Sequence, residues 1–365
     1  MKLTYFTSDP TNFGDELNVI MWSELLPDGF LDEDSSELFL GIGSIIWDTL
    51  PKTVIKHVMG SGYGGYSALP DVKRPDWNVV WVRGPRSAAM LGLDPKLAIC
   101  DAATLLRATK LPEPAKGLNV GFMPHFESVK RGAWEKVCQL AGVTFLDPRE
   151  DPVTLLSKIR GLKMVITEAM HGAIVSDAMR VPWVPIIPFH PDHRMKWDDW
   201  AESLNIPLQR FSLRPSTLLE AYTTMTGLAG KGVHSAKLKD WPLFSAPNAA
   251  VAHLAARRMR HIVENVEPQL SKDADIERVT DRALSALWAV GVASRAPRPK
   301  YRRRGLARDL AAIVPAGLRD AQRFRREVGW DRGPNRASRS KVNSLLAVND
   351  FPKTTQMNMG FPVPC

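Results

Sequence analysis

Short β-rich runs, each closing in a polar or glycine turn and leading into a helical segment, recur through the first half of this 365-residue chain. This alternation restricts the fold more than any other feature. "KLTYF" (2–6) leads through "TSDPTNFGDE" into the helical pattern "ELNVIMWSELL". "ELFLGIGSII" and "TVIKHVMGSGYGG" each run from a strand into glycines. "NVVWVRGPRSAAMLGL" reads as strand, turn and helix, with Pro85 suited to a first helical turn. "KLAICDAATLL" again passes from strand to polar turn. From about Gly117 the series restarts: "LNVGFMPH", "VTFLDP", "KMVIT" and "VPWVPII" read as strands, with helical patterns between them. Such spacing predicts βα units and parallel sheets. The expected fold class is α/β, with two Rossmann-like doubly wound domains over 1–115 and 116–244 and a cleft between them. Ligands in such folds bind beyond the carboxyl ends of the strands, so residues there are the candidates.

Beyond residue 244 the pattern changes. Residues 245–294 carry two amphipathic helical patterns, "AVAHLAARRMRHIVENV" and "DIERVTDRALSALWAVGVASRA". Residues 295–365 form a basic extension, expected to be partly disordered. Within 295–341 stand fifteen Lys/Arg against four Asp/Glu, so this segment accounts for the whole formal charge of +9. The charge suits either an anionic membrane surface or a solvated tail. Few aromatics interleave with it, which argues against a nucleic-acid stacking platform, and no nucleic-acid partner is expected. No apolar run approaches the ~18 residues of a membrane span, and the N-terminus lacks a secretory pattern. Cys100, Cys138 and Cys365 are far apart and form neither a zinc motif nor a disulfide framework. A cytoplasmic location follows as the expectation, peripheral to the inner membrane face if the tail binds there.

Several strand ends carry chemistry. Asn12, Gly14 and Asp15 in "TNFGDELN" can present backbone amides to an anion, or serve as ordinary turn and cap residues. Gly43 and Ser44 in "GIGS" and Gly60, Ser61 and Gly62 in "GSGYGG" allow close backbone approach to phosphate or sugar. Neither turn has the spacing of a dinucleotide fingerprint. Arg83 and Arg86 flank a turn, where guanidinium forks suit phosphate or carboxylate, or where they stand simply exposed. Asp101 either caps the next helix or faces the cleft. His125 and His171 occupy corresponding strand ends in the second series. A helix starting near Ala169 would bring its positive end close to the His171 ring, with Glu168 beside it to orient the imidazole or share a proton. "FHPDHRMKWDDW" reads as an anionic-ligand loop with Arg194 and an aromatic surface for a sugar, or as a solvated loop. His190, Asp192 and His193 there lack a metal-ligand pattern, so no metal is expected.

The ordered set "NFGDELN", "GIGSII", "GSGYGG", "VRGPRSAAMLG", "CDAATLL" and "TEAMHGAIVSDAMRVPWVP" resembles the polysaccharide pyruvyl transferase family, in particular the ketal-pyruvate transferases of bacterial exopolysaccharide synthesis. The likeness runs over about 2–212. It implies a two-lobed fold like that of GT-B glycosyltransferases. Phosphoenolpyruvate would be the donor, with no further cofactor, and a sugar of a lipid-linked oligosaccharide the acceptor. His171, with Glu168, would then be the acid/base, and Arg83, Arg86, His125 and Arg194 would meet the donor's anionic groups. Ala169 stands where many members carry an arginine. The alternatives are a GT-B-like glycosyltransferase using a nucleotide sugar and a non-enzymatic membrane- or nucleic-acid-associated binding protein.

Overall fold

The computed structural model describes residues 1–187, 194–226 and 242–292. The first sheet contains β1 (Lys2–Thr4), β2 (Glu37–Leu40), β3 (Ile55–Met59) and β4 (Trp77–Trp81), all parallel and in the order β1-β2-β3-β4. Its register runs Lys2 to Leu38, Leu38 to Lys56 and Lys56 to Trp77. The second sheet contains β5 (Val120–Met123), β6 (Thr144–Phe145), β7 (Met164–Thr167) and β8 (Trp183–Pro185), in the order β6-β5-β7-β8. Its central strands, "VGFM" and "MVIT", are buried at every residue. Strands covered on both faces become such continuous apolar runs.

The two sheets are wound differently. The second grows outward from β5 in both directions, so a switch point lies between β5 and β7. Ligand crevices open at such points. The first progresses in one direction only and does not turn back, which corrects the expectation of two doubly wound sheets. Its β1–β2 crossover holds the helix α1 (Phe13–Leu25). The β2–β3 and β3–β4 links are turns instead, because the glycine- and proline-bearing stretches 41–54 and 60–76 suit turns rather than helices.

Short helices connect the rest: α2 (Pro85–Met90), α3 (Phe126–Arg131), α4 (Trp134–Ala141), α5 (Pro152–Gly161) and α6 (Met170–Ala178). Local chemistry sets their ends. Pro85 and Pro152 stand at first helical positions. The Asp151 side chain accepts the Thr154 N–H, and left-handed Gly142 closes α4. Past the second sheet come α7 (Arg194–Ser203), α8 (Leu218–Thr226), α9 (Pro242–Asn265) and α10 (Asp273–Val292). α9 packs on α4, whereas α10 returns to the 3-10 helix Ala102–Ala108 and to β4. The described part of the helical extension is thus docked on the α/β body. The basic segment 295–341 and the rest of 295–365 lie outside the described residues.

α7 carries a correction. Trp197 and Trp200 are not an aromatic surface for a sugar: they are buried to 1% and 0% exposure. They pack with Trp183, whose ring lies 5.2 Å from that of Trp200. The i, i+3 spacing puts both on the helix face that joins the core.

On the same helix Asp199 binds the first sheet's side of the molecule. Its Oδ1 accepts the backbone N–H of Arg86 and Ser87 at 2.9 and 3.0 Å, which are free donors at the N-terminus of α2. Its Oδ2 accepts the Ser87 hydroxyl at 2.6 Å and Arg83 Nε at 3.0 Å. Arg83 and Asp199 are both fully buried. The guanidinium also donates to Ser44 Oγ and to the Tyr63 carbonyl. Arg86 pairs with Asp198 and Glu202 at the surface.

Removing one partner of a buried, hydrogen-bonded ion pair strands the other charge and costs about 3–5 kcal/mol. Asp199→Ala is therefore expected to lower unfolding free energy by about that amount in urea titration. Arg86→Ala breaks only partly exposed pairs and should cost about 1 kcal/mol or less.

Candidate active site

A cleft of about 520 Å³ opens where the carboxyl ends of β5 and β7 meet the loops after β1 and β2. Its size falls in the usual range for small-molecule sites. Asn12, Gly14, Asp15, Gly43, Ser44, His125, Ala169, His171 and Lys196 line it, with the aromatic rings of Phe6, Trp47, Tyr66 and Phe126 on its walls.

The first wall is the start of α1. Asn12 is the residue before the helix, in extended conformation, and its Nδ2 donates to Asp15 Oδ2 at 2.6 Å. Asn18, one turn further on, is wholly buried. It donates to the carbonyls of Asp15 and Ile42 and accepts the Ile42 N–H at 2.8 Å. It thereby ties the loop after β2 to α1 and holds Gly43 and Ser44 at the cleft. Gly43 has φ +132°, a conformation that favours glycine.

The second wall is the start of α6, whose flanking residue is Ala169. His171 stands in the first turn with its side chain 14% exposed. The Nδ1 edge of its ring packs against the start of α1: a Cβ added at Gly14 would come within 1.8 Å of His171 Nδ1. On the other side, His171 Nε2 is 3.9 Å from Asp101 Oδ1. That oxygen also accepts the Ala103 N–H, so Asp101 caps the 3-10 helix and faces the imidazole at once. Lys196 enters from α7, with Nζ 5.7 Å from the centre of the Tyr66 ring.

The electrostatics of these four groups are coupled. Burial, then the charges of Lys196 and Arg83, pull the His171 pKa down to about 3. Burial also brings Lys196 down to about 8, with Arg83 acting in the same direction and Asp15, Glu127 and Asp101 opposing. Burial raises Asp15 to about 6 against its Asn12 hydrogen bond and Lys196. It raises Asp101 to about 6 against Arg83 and the Ala103 N–H. With these shifts the imidazole is neutral and the lysine largely charged at neutral pH. Such opposed shifts are the mark of sites that handle protons or anions.

Other expected site residues sit elsewhere. Glu168 does not point its hydrogen bonds at His171. Its carboxylate accepts the His125 N–H at 2.9 Å and the Ser128 hydroxyl at 3.1 Å, which fixes the loop after β5. Arg83 and Arg86 bind the protein's own carboxylates. Gly62 gives Arg83 its room, since a Cβ there would lie 2.2 Å from the guanidinium carbon. Gly60, at φ +88°, packs against Trp81 and Ala102, and Ser61 donates to the Gly41 carbonyl. Arg194 is exposed at the start of α7. His190, Asp192 and His193 lie outside the described residues. The Asn18 hub and the aromatic walls went unread in the sequence. The only local signal for Asn18 is an amide one turn after the Asp15 loop, on the α1 face that becomes buried.

These features define an α/β protein with a cleft of buried titratable groups at strand carboxyl ends. A family model for polysaccharide pyruvyl transferase matches residues 72–188, the stretch that supplies Asp101, His125 and His171. The succinoglycan biosynthesis protein ExoV of Rhizobium meliloti (strain 1021) is 39% identical over 227 residues, which cover 60% of this chain and 70% of that protein. The chain belongs to the polysaccharide pyruvyl transferase family. No solved structure matches it.

The depressed His171 pKa has a consequence for stability. An imidazole that takes its proton at pH 6.5 when unfolded, but near 3 when folded, leaves the unfolded chain with more bound protons between those values. Stability is then lost as pH falls below 6.5 and the loss levels off near 3. At pH 5 this amounts to about 2 kcal/mol, at roughly 1.4 kcal/mol per pH unit. In urea titrations from pH 7.5 to 5, the wild type should lose about that much more stability than His171→Gln.

Proposed function

We propose that this protein transfers the pyruvyl group of phosphoenolpyruvate to two hydroxyls of one sugar in a lipid-linked exopolysaccharide repeat, forming a ketal and releasing phosphate. The observation that carries this reading is the cleft that joins neutral His171 to Lys196 and Asp15 at the switch point of the second sheet. Family membership supplies the reaction class.

The chemistry needs a proton at the donor's methylene carbon, a base for the attacking hydroxyls and cations for the phosphate and carboxylate. Asp15, pushed up to about 6, is a cleft-lining carboxyl able to carry a proton near neutrality. Protonation of the methylene carbon leaves its neighbour electron-poor. A first hydroxyl bonds there and gives its proton to His171. The phosphate then leaves with the bonding pair of its ester oxygen and takes the proton held by His171, and the second hydroxyl closes the ketal as its own proton passes to Asp15, restoring the carboxyl that protonated the methylene carbon. Lys196 meets the donor's negative charge. With a multiply charged anion in the cleft, opposite charge favours the imidazolium, so the donor itself raises the proton affinity of His171. Ala169, where many members carry arginine, leaves Lys196 as the local cation in this reading.

The test is incubation with phosphoenolpyruvate and lipid-linked oligosaccharides, reading pyruvylated product by mass and phosphate release. His171→Ala should lose at least about a hundred-fold in rate, in the range typical of general acid–base catalysis. Release of nucleotide from a nucleotide sugar, with no phosphate from phosphoenolpyruvate, would make the protein a glycosyltransferase instead. Lys196→Met should raise the donor KM about 10- to 100-fold, the worth of one charge-assisted hydrogen bond. Wild-type donor affinity should weaken as pH rises through about 8, where Lys196 loses its charge.

Among the described residues no helix is long and apolar enough to cross a membrane. The proposal therefore assigns contact with anionic lipid to the basic segment 295–341, which would bring the cleft near a lipid-linked acceptor. Deleting 295–365 should abolish binding to phosphatidylserine-containing vesicles and leave turnover of a soluble acceptor unchanged.

A further inference from the structure

Three aromatic side chains on the cleft wall take no part in the proton and anion chemistry. Phe6 follows β1, Trp47 follows β2 and Tyr66 follows β3, so three successive strand ends of the first sheet each bring one ring to the same cleft. Phe6 is 43% exposed and Tyr66 48%, and Trp47 is half-buried. A single exposed apolar side chain is ordinary. Three that converge on one cleft mark a place for a ligand. Phe126, after β5, is half-buried and lies against His125, with ring centres 4.9 Å apart.

The loops that carry Trp47 and Tyr66 are tied to each other and to the core. Trp47 packs on the apolar cluster that contains Leu40, Ile46 and Val58. Asp48, next to it, donates its N–H to Ser67 Oγ at 3.3 Å, which joins the loop after β2 to the loop after β3. The Tyr63 hydroxyl donates to the Ser67 carbonyl at 2.6 Å. Tyr66 is seated on Gly64, where a Cβ would lie 2.5 Å from its ring. The buried Arg83 guanidinium donates to Ser44 Oγ in the first loop and to the Tyr63 carbonyl in the second.

We infer that Phe6, Trp47 and Tyr66 form the acceptor surface of the cleft, on which the terminal hexopyranose and the sugar before it stack. The inference rests on the pyruvyl-transfer reading for the identity of the acceptor. A pyranose chair carries hydroxyls around its rim and C–H bonds on its faces, and those weakly positive hydrogens meet the negative face of an aromatic ring. Phosphoenolpyruvate, small and multiply charged, gains nothing from such rings. The other cleft-lining residues of the loops after β2 and β3, Gly43, Ser44, Ile45, Thr49 and Ser67, carry no charge. That wall suits an uncharged ligand with apolar faces and many hydroxyls. Tyr66 stands at the border between the two chemistries, with Lys196 Nζ 5.7 Å from its ring centre. A sugar stacked there lies next to the cation that would meet the donor.

The experiment is a saturation-transfer NMR titration of the full-length protein with cellobiose and with lactose, whose terminal hexoses both keep the 4- and 6-hydroxyls that can close a six-membered ketal. The wild type should bind at least one of them, with transfer strongest to the ring C–H protons. Phe6→Ala removes an exposed ring, and Trp47→Leu keeps apolar volume on the core while removing the flat face. Each should weaken sugar binding at least about five-fold, the worth of one stacked aromatic contact. The calorimetric Kd for phosphoenolpyruvate should change by less than about three-fold in both. A wild type that binds neither sugar overturns the inference, as do variants that bind as tightly as the wild type. It is overturned too if the variants lose affinity for uridine monophosphate instead, since the rings then hold a base. Sugar binding that fails in the variants of a protein unable to turn over phosphoenolpyruvate supports the aromatic surface and overturns the pyruvyl reading. Turnover of phosphoenolpyruvate with sugar binding unchanged in the variants does the reverse.

Discussion

The buried pair of Arg83 and Asp199 is the contact on which the cleft depends. Two charges out of water are tolerated only when their hydrogen-bonding capacity is met. Here Asp199 accepts four hydrogen bonds, from two backbone amides, one hydroxyl and one guanidinium nitrogen, and Arg83 donates to three separate groups. The pair joins the end of β4 to α7, a helix that follows the second sheet. Lys196 lies three residues before Asp199 on α7, so both share one side of the helix. Clamping Asp199 against α2 therefore aims Lys196 at the cleft. The Arg83 charge, held nearby without reaching the cleft lining, also helps to keep Lys196 and His171 below their ordinary pKa values.

That arrangement works against folding at the site. Asp15 and Asp101 are pushed up, and His171 and Lys196 are pushed down, chiefly by burial. Each shift marks a charged form that the fold disfavours. The neighbouring apolar mass makes this tolerable: Phe13 and Leu17 of α1, Met170 and Ile174 of α6, and the α7 tryptophans all belong to one core cluster. The site is a polar inclusion on the edge of that core; on the proposed reading an anionic donor would bring Lys196 a counter-charge.

What could be read from the sequence follows the range of the interactions involved. Strand–helix alternation is local, so the strands, the parallel pairing and the position of His171 at the start of a helix were all legible. The residues after β1, β2, β5 and β7 do come together, because parallel strands place their carboxyl ends on one side. The misreadings share another cause. "GSGYGG" and "VRGPRS" have the composition of a phosphate loop, but Gly62 and Arg83 complete each other across the fold, and Asp199 is 116 residues further on. Nothing local distinguishes a guanidinium that meets a ligand from one that meets a distant carboxylate. Glu168 was assigned to His171 by adjacency, although neighbours in a strand-to-helix turn need not face the same way; Asp101, 70 positions back in the chain, is the carboxylate beside the ring. "WDDW" held a usable signal in its i, i+3 tryptophans, a helix face rather than a loop.

The alanine at position 169 acquires a physical sense on the proposed reading. An arginine at the start of α6 would be charged at every accessible pH and would stand two residues from a histidine that must accept a proton. Its field would add to those of Arg83 and Lys196, which already hold the imidazole neutral. Moving the donor-facing cation to Lys196 on α7 changes this balance. A lysine near pKa 8 is charged when an anion arrives and costs the fold less when none is present. It is also a point charge on a flexible stem, laid over the Tyr66 ring, so it can follow a donor that changes from a planar enol ester to a tetrahedral carbon. On that reading the cation comes from the helix clamped by Asp199 and the base from the start of α6, where the His171 ring lies 3.9 Å from the buried Asp101 carboxylate.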